Sequence, residues 1–404
     1  MSSEIVFLLR PRDPLMVRDG RPFNAEAGAY ARSLSWPMPS TLAGAIRTHL
    51  GGKLGFDWRN GGPEEALKIE VQGPILAVSE DGVSWQPYLP APKDAIIFKP
   101  KGKGKTDNGG NTMVRLSPCS SLTNGAGCNL PEGVLPLTAL GETGGKPDNS
   151  RVFWSLDDTV SWLLGEDNIP QKWMPELPKE ARIHVKIDPE KRTSEEGKLF
   201  STLSVCFSDC SIGGDDSRAK SACTAIICRA ASFEHDVTNC GRVVPFGGER
   251  RVSMIEMDGA SWPQLPDELL KGLVGQKQIK LQMVTPGIFK EGWKPGWAGG
   301  TPSIDGLSGV TFKLMSAAVD RRVVVSGWDY RYKHKNNTNN NERRGPKPAR
   351  WCVPAGSVYF FETNKPLDES HVRSLWFASV SDGEQDRRDG FGIVVPGKWD
   401  YGKQ

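Results

Sequence analysis

The chain has 404 residues, and its 51 Lys/Arg against 48 Asp/Glu leave a formal net charge of only +3, which excludes bulk electrostatic capture of nucleic acid. Forty-five glycines and 30 prolines leave room for few long helices, and the length predicts two domains. No segment approaches the ~18 apolar residues of a membrane span, and the apolar run at 5–9 is too short for a signal core. The expectation is therefore a cytoplasmic protein without membrane contact, its eight cysteines reduced.

Residues 4–10 read as an apolar strand, followed by a loop holding Arg18 and Arg21. Pro37 and Pro39 keep the next stretch extended. Ser40 then suits an N-cap, and Leu42, Ile46 and Leu50 recur at i, i+4 and i+8 until Gly51 and Gly52. This predicts a helix over about 41–50, stopped by the glycines. Its N-terminal amides, with Arg18 and Arg21 upstream, suit a phosphate; the plainer reading is a capped helix beside solvated arginines. Further strands are expected at 75–79 and 95–98. Residues 99–180 read as an insertion: a Lys/Gly loop, Pro/Gly-rich coil, and a short helix near 157–164 capped by Asp157 and Asp158. Alternation at 183–187 and again at 199–207 predicts a protruding β-hairpin with a long polar tip at 188–198. Beyond residue 260, strands are expected at 278–284, 311–318, 322–326 and 356–362, with one helix near 368–377. The Asn-rich, basic stretch 333–348 reads as a disordered loop.

Charge is uneven along the chain. Residues 331–351 carry seven Lys/Arg against Glu342, and residues 99–115 carry five against Asp107; such runs are ordinarily solvated loops. Cys206, Cys210, Cys223 and Cys228 have a loosely zinc-like spacing. Two of them fall within expected strands rather than tight turns, so they read as incidental thiols and no metal or cofactor is expected. Residues 245–251, Pro-Phe-Gly-Gly-Glu-Arg-Arg, combine a permissive Gly247-Gly248 with Arg250 and Arg251, a pairing suited to close approach and bidentate contact with phosphate. Residues 387–397 form a glycine-rich loop, with Gly390 and Gly392 behind Arg387 and Arg388. A lone G-x-G is weak, and no Walker or dinucleotide motif accompanies it.

In this order, the segments at 14–23, 39–47, 184–200, 247–251, 354–361 and the final glycine loop resemble the RAMP superfamily of CRISPR proteins. More narrowly, they are similar to the third subunit of the Cmr (type III-B) effector module. The resemblance implies an α+β fold of two ferredoxin-like (RRM-like) domains with long insertions, divided at about 1–258 and 259–404. It implies a non-catalytic, RNA-binding role in antiviral defence, holding the 5′ repeat-derived handle of the guide RNA. The implied partners are the large polymerase-like subunit and neighbouring RAMP backbone subunits. The candidate RNA contacts are Arg18, Arg21, Ser40, Thr41, Arg47, Lys191, Arg192, Gly247, Gly248, Arg250, Arg251, Arg387, Arg388, Gly390 and Gly392. A short single strand can be gripped through phosphates and splayed bases with such groups. The acidic residues Asp188, Glu190, Glu195 and Glu196 suggest that the hairpin tip acts as a wedge or touches protein.

Two other classes stay open. Some RAMP relatives are endoribonucleases that use a histidine as general acid or base, and His49 and His184 are the candidates here. His49 lies near the apolar stripe of the first helix, and His184 has no evident charged partner in sequence. A pure protein adaptor is the third reading.

Overall fold

The computed structural model describes residues 3–19, 29–99, 111–120, 125, 127–141, 145–208, 210–213, 220–233, 237, 242–257, 259, 261–329 and 345–401. Arg21, most of the Lys/Gly loop and residues 330–344 lie outside them. The architecture is α+β, as expected: largely antiparallel sheets with few helices.

The N-terminal half is built on one broad sheet. Its strands run, neighbour to neighbour, Val243–Pro245, Val252–Glu256, Ser3–Pro11, Lys220–Phe233, Glu70–Ser79, Gln86–Pro90, Phe153–Ser155 and Trp173–Met174. Both faces of its centre are covered. Phe7, Leu9, Leu76 and Ile226 point toward α1 (Pro39–Lys53), while Leu8, Ile75, Ala77, Ala225 and Ile227 point toward the C-terminal half. Burial on both faces explains why Glu70–Ser79 reads as a nearly continuous apolar run rather than an alternating one.

The C-terminal sheet has the order Phe312–Ala318, Val358–Thr363, Gln278–Met283, Ile393–Lys398 and Ala378–Ser379. Ile279, Leu281, Phe312, Phe361 and Val394 meet the N-terminal set in a single shared core. A two-stranded ribbon, Val323–Asp329 with Gly345–Cys352, stands apart from this sheet.

Several expectations are corrected. Helix α1 does not stop at Gly51 and Gly52 but runs to Lys53, and Gly55 (φ +71°) follows its cap. Gly51 is there for space: a Cβ would lie 2.6 Å from the Trp58 ring and 2.8 Å from Phe56. The N-cap is Met38, not Ser40, which sits inside the first turn behind Pro39. Helix α2 (Gly62–Lys68) has no long apolar stripe and went unread. In α3 (Leu156–Leu163) the cap is Ser155, whose side chain accepts the Asp158 N–H. Asp158 instead accepts from the backbone of Gln171 and Lys172. The stretch expected as Pro/Gly-rich coil holds the strands Thr112–Pro118 and Leu137–Leu140, which join the expected strand Ala95–Phe98 in a three-stranded sheet. Residues 345–348, placed in a disordered loop by their composition, belong to the ribbon. Helices α4 (Asp267–Leu273) and α5 (Glu369–Leu375) pack on the C-terminal sheet, whereas α6 (Glu384–Arg388) lies against α2 and the N-terminal strand Glu70–Ser79; α5 opens with a capping box between Asp368 and His371.

Two buried ion pairs tie distant parts of the chain. Lys280, on a central C-terminal strand, donates to Asp94 at 2.8 Å. Asp94 also accepts the Trp162 indole N–H at 2.8 Å, and Arg115 covers the Trp162 ring at 3.4 Å from its centroid. Burial, partly offset by Asp94, pushes the Lys280 ammonium down to about 8. The second pair is Arg47 with Asp389, both buried. The Arg47 guanidinium also donates to Ile69 O (2.9 and 2.7 Å) and Arg388 O (3.0 Å).

Each pair makes a prediction. An unfolded chain holds the Lys280 proton up to the ordinary 10.5, so between about 8 and 10.5 it binds more protons than the folded one. Stability from this group therefore rises with pH across that window, by up to about 3 kcal/mol. Urea unfolding at pH 8 and pH 10 should show wild type gaining on a Lys280→Met, Asp94→Leu double variant; parallel curves would refute this. Replacing Arg47 by Met strands a buried carboxylate and should cost about 3–5 kcal/mol, with much of the loss recovered in Arg47→Met, Asp389→Asn. Thermal unfolding of the two variants decides it.

Candidate nucleic-acid interface

A short extended segment, residues 15–18, is the meeting point of three sequence features. Leu15 exchanges backbone hydrogen bonds with Val205 at the base of the hairpin (2.7 and 2.8 Å). Met16 O accepts the Gly248 N–H at 2.7 Å. Val17 accepts from Leu34 at 2.7 Å and donates to Ser33 Oγ at 3.0 Å, and Arg18 pairs with Ser33. The chain then continues from Leu34 into α1. Thus the hairpin, the Gly-Gly-Glu-Arg-Arg turn and the approach to α1 all hang on one strip of backbone. The side chain of Arg18 is exposed on it.

The turn itself is strained. Gly247 (φ +84°) is required, because a Cβ would meet Leu15 at 2.6 Å and Met16 O at 2.9 Å. Glu249 and Arg250 both adopt φ +57°, a left-handed conformation that non-glycine residues adopt at a cost of roughly 1 kcal/mol or more each. The turn is closed by Phe246 N–H to Arg251 O at 2.9 Å. Arg250 projects into solvent, whereas Arg251 is largely covered and lies 3.3 Å from Glu249.

Beside the start of α1 lies a groove of about 660 Å³. Ser40, Thr41, Gly44, Arg47 and Thr48 line it at positions that share one face of the helix, spanning roughly 12 Å. The opposite wall is the ribbon, through Val325, Gly327, Lys347 and Arg350; Trp58 stands at one end. No side chain caps α1, and its first turn holds no acid, so its positive end is left for an anion. A Cβ on Gly44 would meet nothing within 4 Å. Hydroxyls, a lysine and a part-exposed indole form a set chemically suited to one extruded nucleotide.

Not every expected contact falls here. Arg47 is consumed by Asp389, Ile69 and Arg388, forming the groove's floor rather than a free cation. Gly390 and Gly392 are buried: a Cβ on Gly390 would lie 2.7 Å from Val71 O, and one on Gly392 2.5 Å from Ser381. Gly390 serves close packing between the halves and Gly392 close packing within the C-terminal half, so neither is open to a ligand backbone. Arg387 donates to Ser381 O and Asp382 O, and Arg388 pairs with Glu384 within α6. Lys191 and Arg192 are exposed at the hairpin tip. That tip is shorter than expected, a turn at 188–193 between Lys179–Ile187 and Ser194–Val205. Asp188 knits it by accepting from the Glu190 and Lys191 N–H groups.

Sequence reading missed Gly44, Trp58, Lys347 and Arg350. The first could have been seen, since Ser40, Gly44 and Thr48 leave a small, non-apolar stripe opposite Leu42, Ile46 and Leu50. His184 stacks on Phe200 with ring centroids 5.1 Å apart and shares a hydrogen bond with Thr202 Oγ1 at 2.9 Å. Among the described residues no group of His, Cys, Asp and Glu is arranged to hold a metal, and no helix is long and apolar enough to cross a membrane.

Comparison with solved structures finds a chain of a type III-B Cmr-beta complex bound to cognate target RNA and AMPPnP. It is 16% identical, with a TM-score of 0.42, over 88% of this chain and 86% of that one. A chain from a Csm3–Csm4 subcomplex of the type III-A interference complex gives 10% identity and a TM-score of 0.28, over 91% and 94%. No curated protein matches the sequence. The family model described as CRISPR-associated protein (Cas_Cmr3) matches residues 7–399, nearly the whole chain. The chain therefore belongs to the Cas_Cmr3 family of CRISPR-associated proteins, and is a Cmr-type subunit of a type III effector complex.

Proposed function

We propose that this subunit holds the 5′ repeat-derived handle of the guide RNA, beside the large polymerase-like subunit and the RAMP backbone, and contributes no cleavage itself. The observation that carries the reading is the convergence of the hairpin, the strained arginine turn and the α1 approach on residues 15–18. A single-stranded handle laid along that strip would meet Arg18, Arg250 and the N-terminus of α1 in succession. It could then seat one nucleotide between α1 and the ribbon. Lys191 and Arg192 at the hairpin tip would stand where the handle gives way to the pairing region, the tip acting as a wedge. The scaffold role is favoured over the endoribonuclease one because the His184 ring is stacked on Phe200 and hydrogen-bonded to Thr202.

The sheet orders support a ferredoxin-like reading of each half. In each, the four main strands lie with the fourth beside the first and the third between first and second. A helix is kept in one crossover of each half: α1 in the N-terminal half and α5 in the C-terminal half.

Two variants test the handle grip. Leucine at Gly44 enters open space, so α1 should be stabilised by up to about 1 kcal/mol while the groove is filled. Handle RNA affinity, measured by filter binding, should fall about tenfold, which is ~1.4 kcal/mol. Unchanged affinity in a folded Gly44→Leu protein rules the groove out. Replacing Arg250 and Arg251 together by alanine should weaken binding and reduce the magnitude of the salt slope by about 0.7, the one phosphate contact that the exposed Arg250 makes to a single strand. An unaltered slope in the assembled complex counts against the turn as a phosphate clamp.

A further inference from the structure

The hairpin carries an apolar face that the RNA reading does not use. Ile183, Val185 and Ile187 alternate along one strand, with exposures of 73%, 42% and 53%, and Leu199, opposite Val185, is 55% exposed. The stripe is continuous with the body: on the same side of the neighbouring strand Leu203 is half-buried and Val205 is buried. Four large aliphatics therefore run out into solvent along roughly 13 Å of hairpin. Such a stripe on a protruding element marks a contact surface rather than scattered exposure.

The charges around it argue against a polyanion as its occupant. Lys179 is tied to Glu176 at 2.5 Å, Arg182 to Glu180, and Lys186 to Glu195 at 2.6 Å. Each of these cations thus has a carboxylate before any ligand arrives. Glu190 and Glu196 are exposed near the tip, beside the equally exposed Lys191 and Arg192. The lone pair of rings on the other face, His184 on Phe200, is closed upon itself.

We infer that this face is a docking surface for another protein subunit of the effector complex, one that presents an aliphatic patch rimmed by lysine or arginine. The inference rests on membership of a type III complex and not on the handle grip. The hairpin would be held flat by its aliphatic side against the neighbouring subunit, leaving only the turn at 188–193 to reach RNA. The partner's basic rim would answer Glu190 and Glu196.

The test uses the complex reconstituted from the full chain, its co-encoded subunits and labelled guide RNA. The photo-reactive residue p-benzoylphenylalanine replaces Ile183 in one preparation and Arg250 in another. The expected result at position 183 is a covalent adduct with a different protein subunit and no RNA label in that band. An adduct with RNA, with a second copy of this chain, or with nothing overturns the proposal. In parallel, Ile183→Ser with Leu199→Ser should leave the thermal midpoint of the isolated chain and its handle RNA affinity unchanged, since both side chains are exposed. Its incorporation into the complex should drop about tenfold; undiminished incorporation overturns the proposal. A chain that fails to bind handle RNA yet gives the protein adduct at position 183 sinks the handle reading alone.

Discussion

The buried pair between Arg47 and Asp389 is the constraint on which the rest of this molecule depends. One guanidinium, carried by the first helix, is bonded to the end of the N-terminal connection at Ile69 and to the C-terminal loop at Arg388 and Asp389. It joins residues more than 300 positions apart in sequence. Arg350 grips Asp386 in a bidentate pair nearby (2.9 and 2.7 Å), so the same short loop also anchors the ribbon. Both walls of the groove are thereby referred to one fixed turn of chain. An arginine suits this task because its fork satisfies a carboxylate and several carbonyls at once, as a lysine could not.

Around that clamp the two sheets meet mainly through apolar side chains, with Gln282 donating to Pro90 O at 2.8 Å between them. Leu8 and Ala225 face Ile279 and Phe361 across a single core, and the glycines of the C-terminal loop let backbones approach where side chains would collide. Lys280, sealed beneath Trp162 with Asp94, adds a polar link between the insertion and the C-terminal sheet. A buried pair of this kind contributes little net stability and fixes which arrangement is adopted. The insertion thus has a defined seat on the body, although its sequence reads as Pro/Gly-rich connection.

Much of this was legible in the chain. Apolar runs and alternation located strands such as Ser3–Pro11, Gln278–Met283 and Val358–Thr363 to within a few residues but not Ile393–Lys398, and the Leu42, Ile46, Leu50 stripe located the face of α1 that meets the sheet. Capping was less legible. Ser40 has the chemistry of an N-cap, yet Pro39 sets φ at the first helical position and pushes the cap back to Met38, which has no side-chain acceptor. Gly51 and Gly52 looked like a stop because glycine ends helices on average; here Trp58 and Phe56 need the space at Gly51, and Gly52 simply continues the helix. Gly390 and Gly392 misled for the same reason: a glycine required by a neighbouring backbone has the same letter as one required by a phosphate. The groove could not be read at all from local pattern. Its walls are contributed by α1, the ribbon and the C-terminal loop, which only the tertiary fold brings together.

The backbone strip at 15–18 has a mechanical consequence. It shares hydrogen bonds with the hairpin base on one side, the arginine turn on another and the lead into α1 on a third. A lateral load on the hairpin is therefore applied at the same few peptide groups that hold Gly248 and Leu34 in place. Twisting of that strip by even a fraction of an ångström would be shared among all three attachments at once, since none has an independent support in this segment. The strip behaves as a common axle, and a subunit leaning on the hairpin would have leverage over the angle at which the turn and the helix face their ligand.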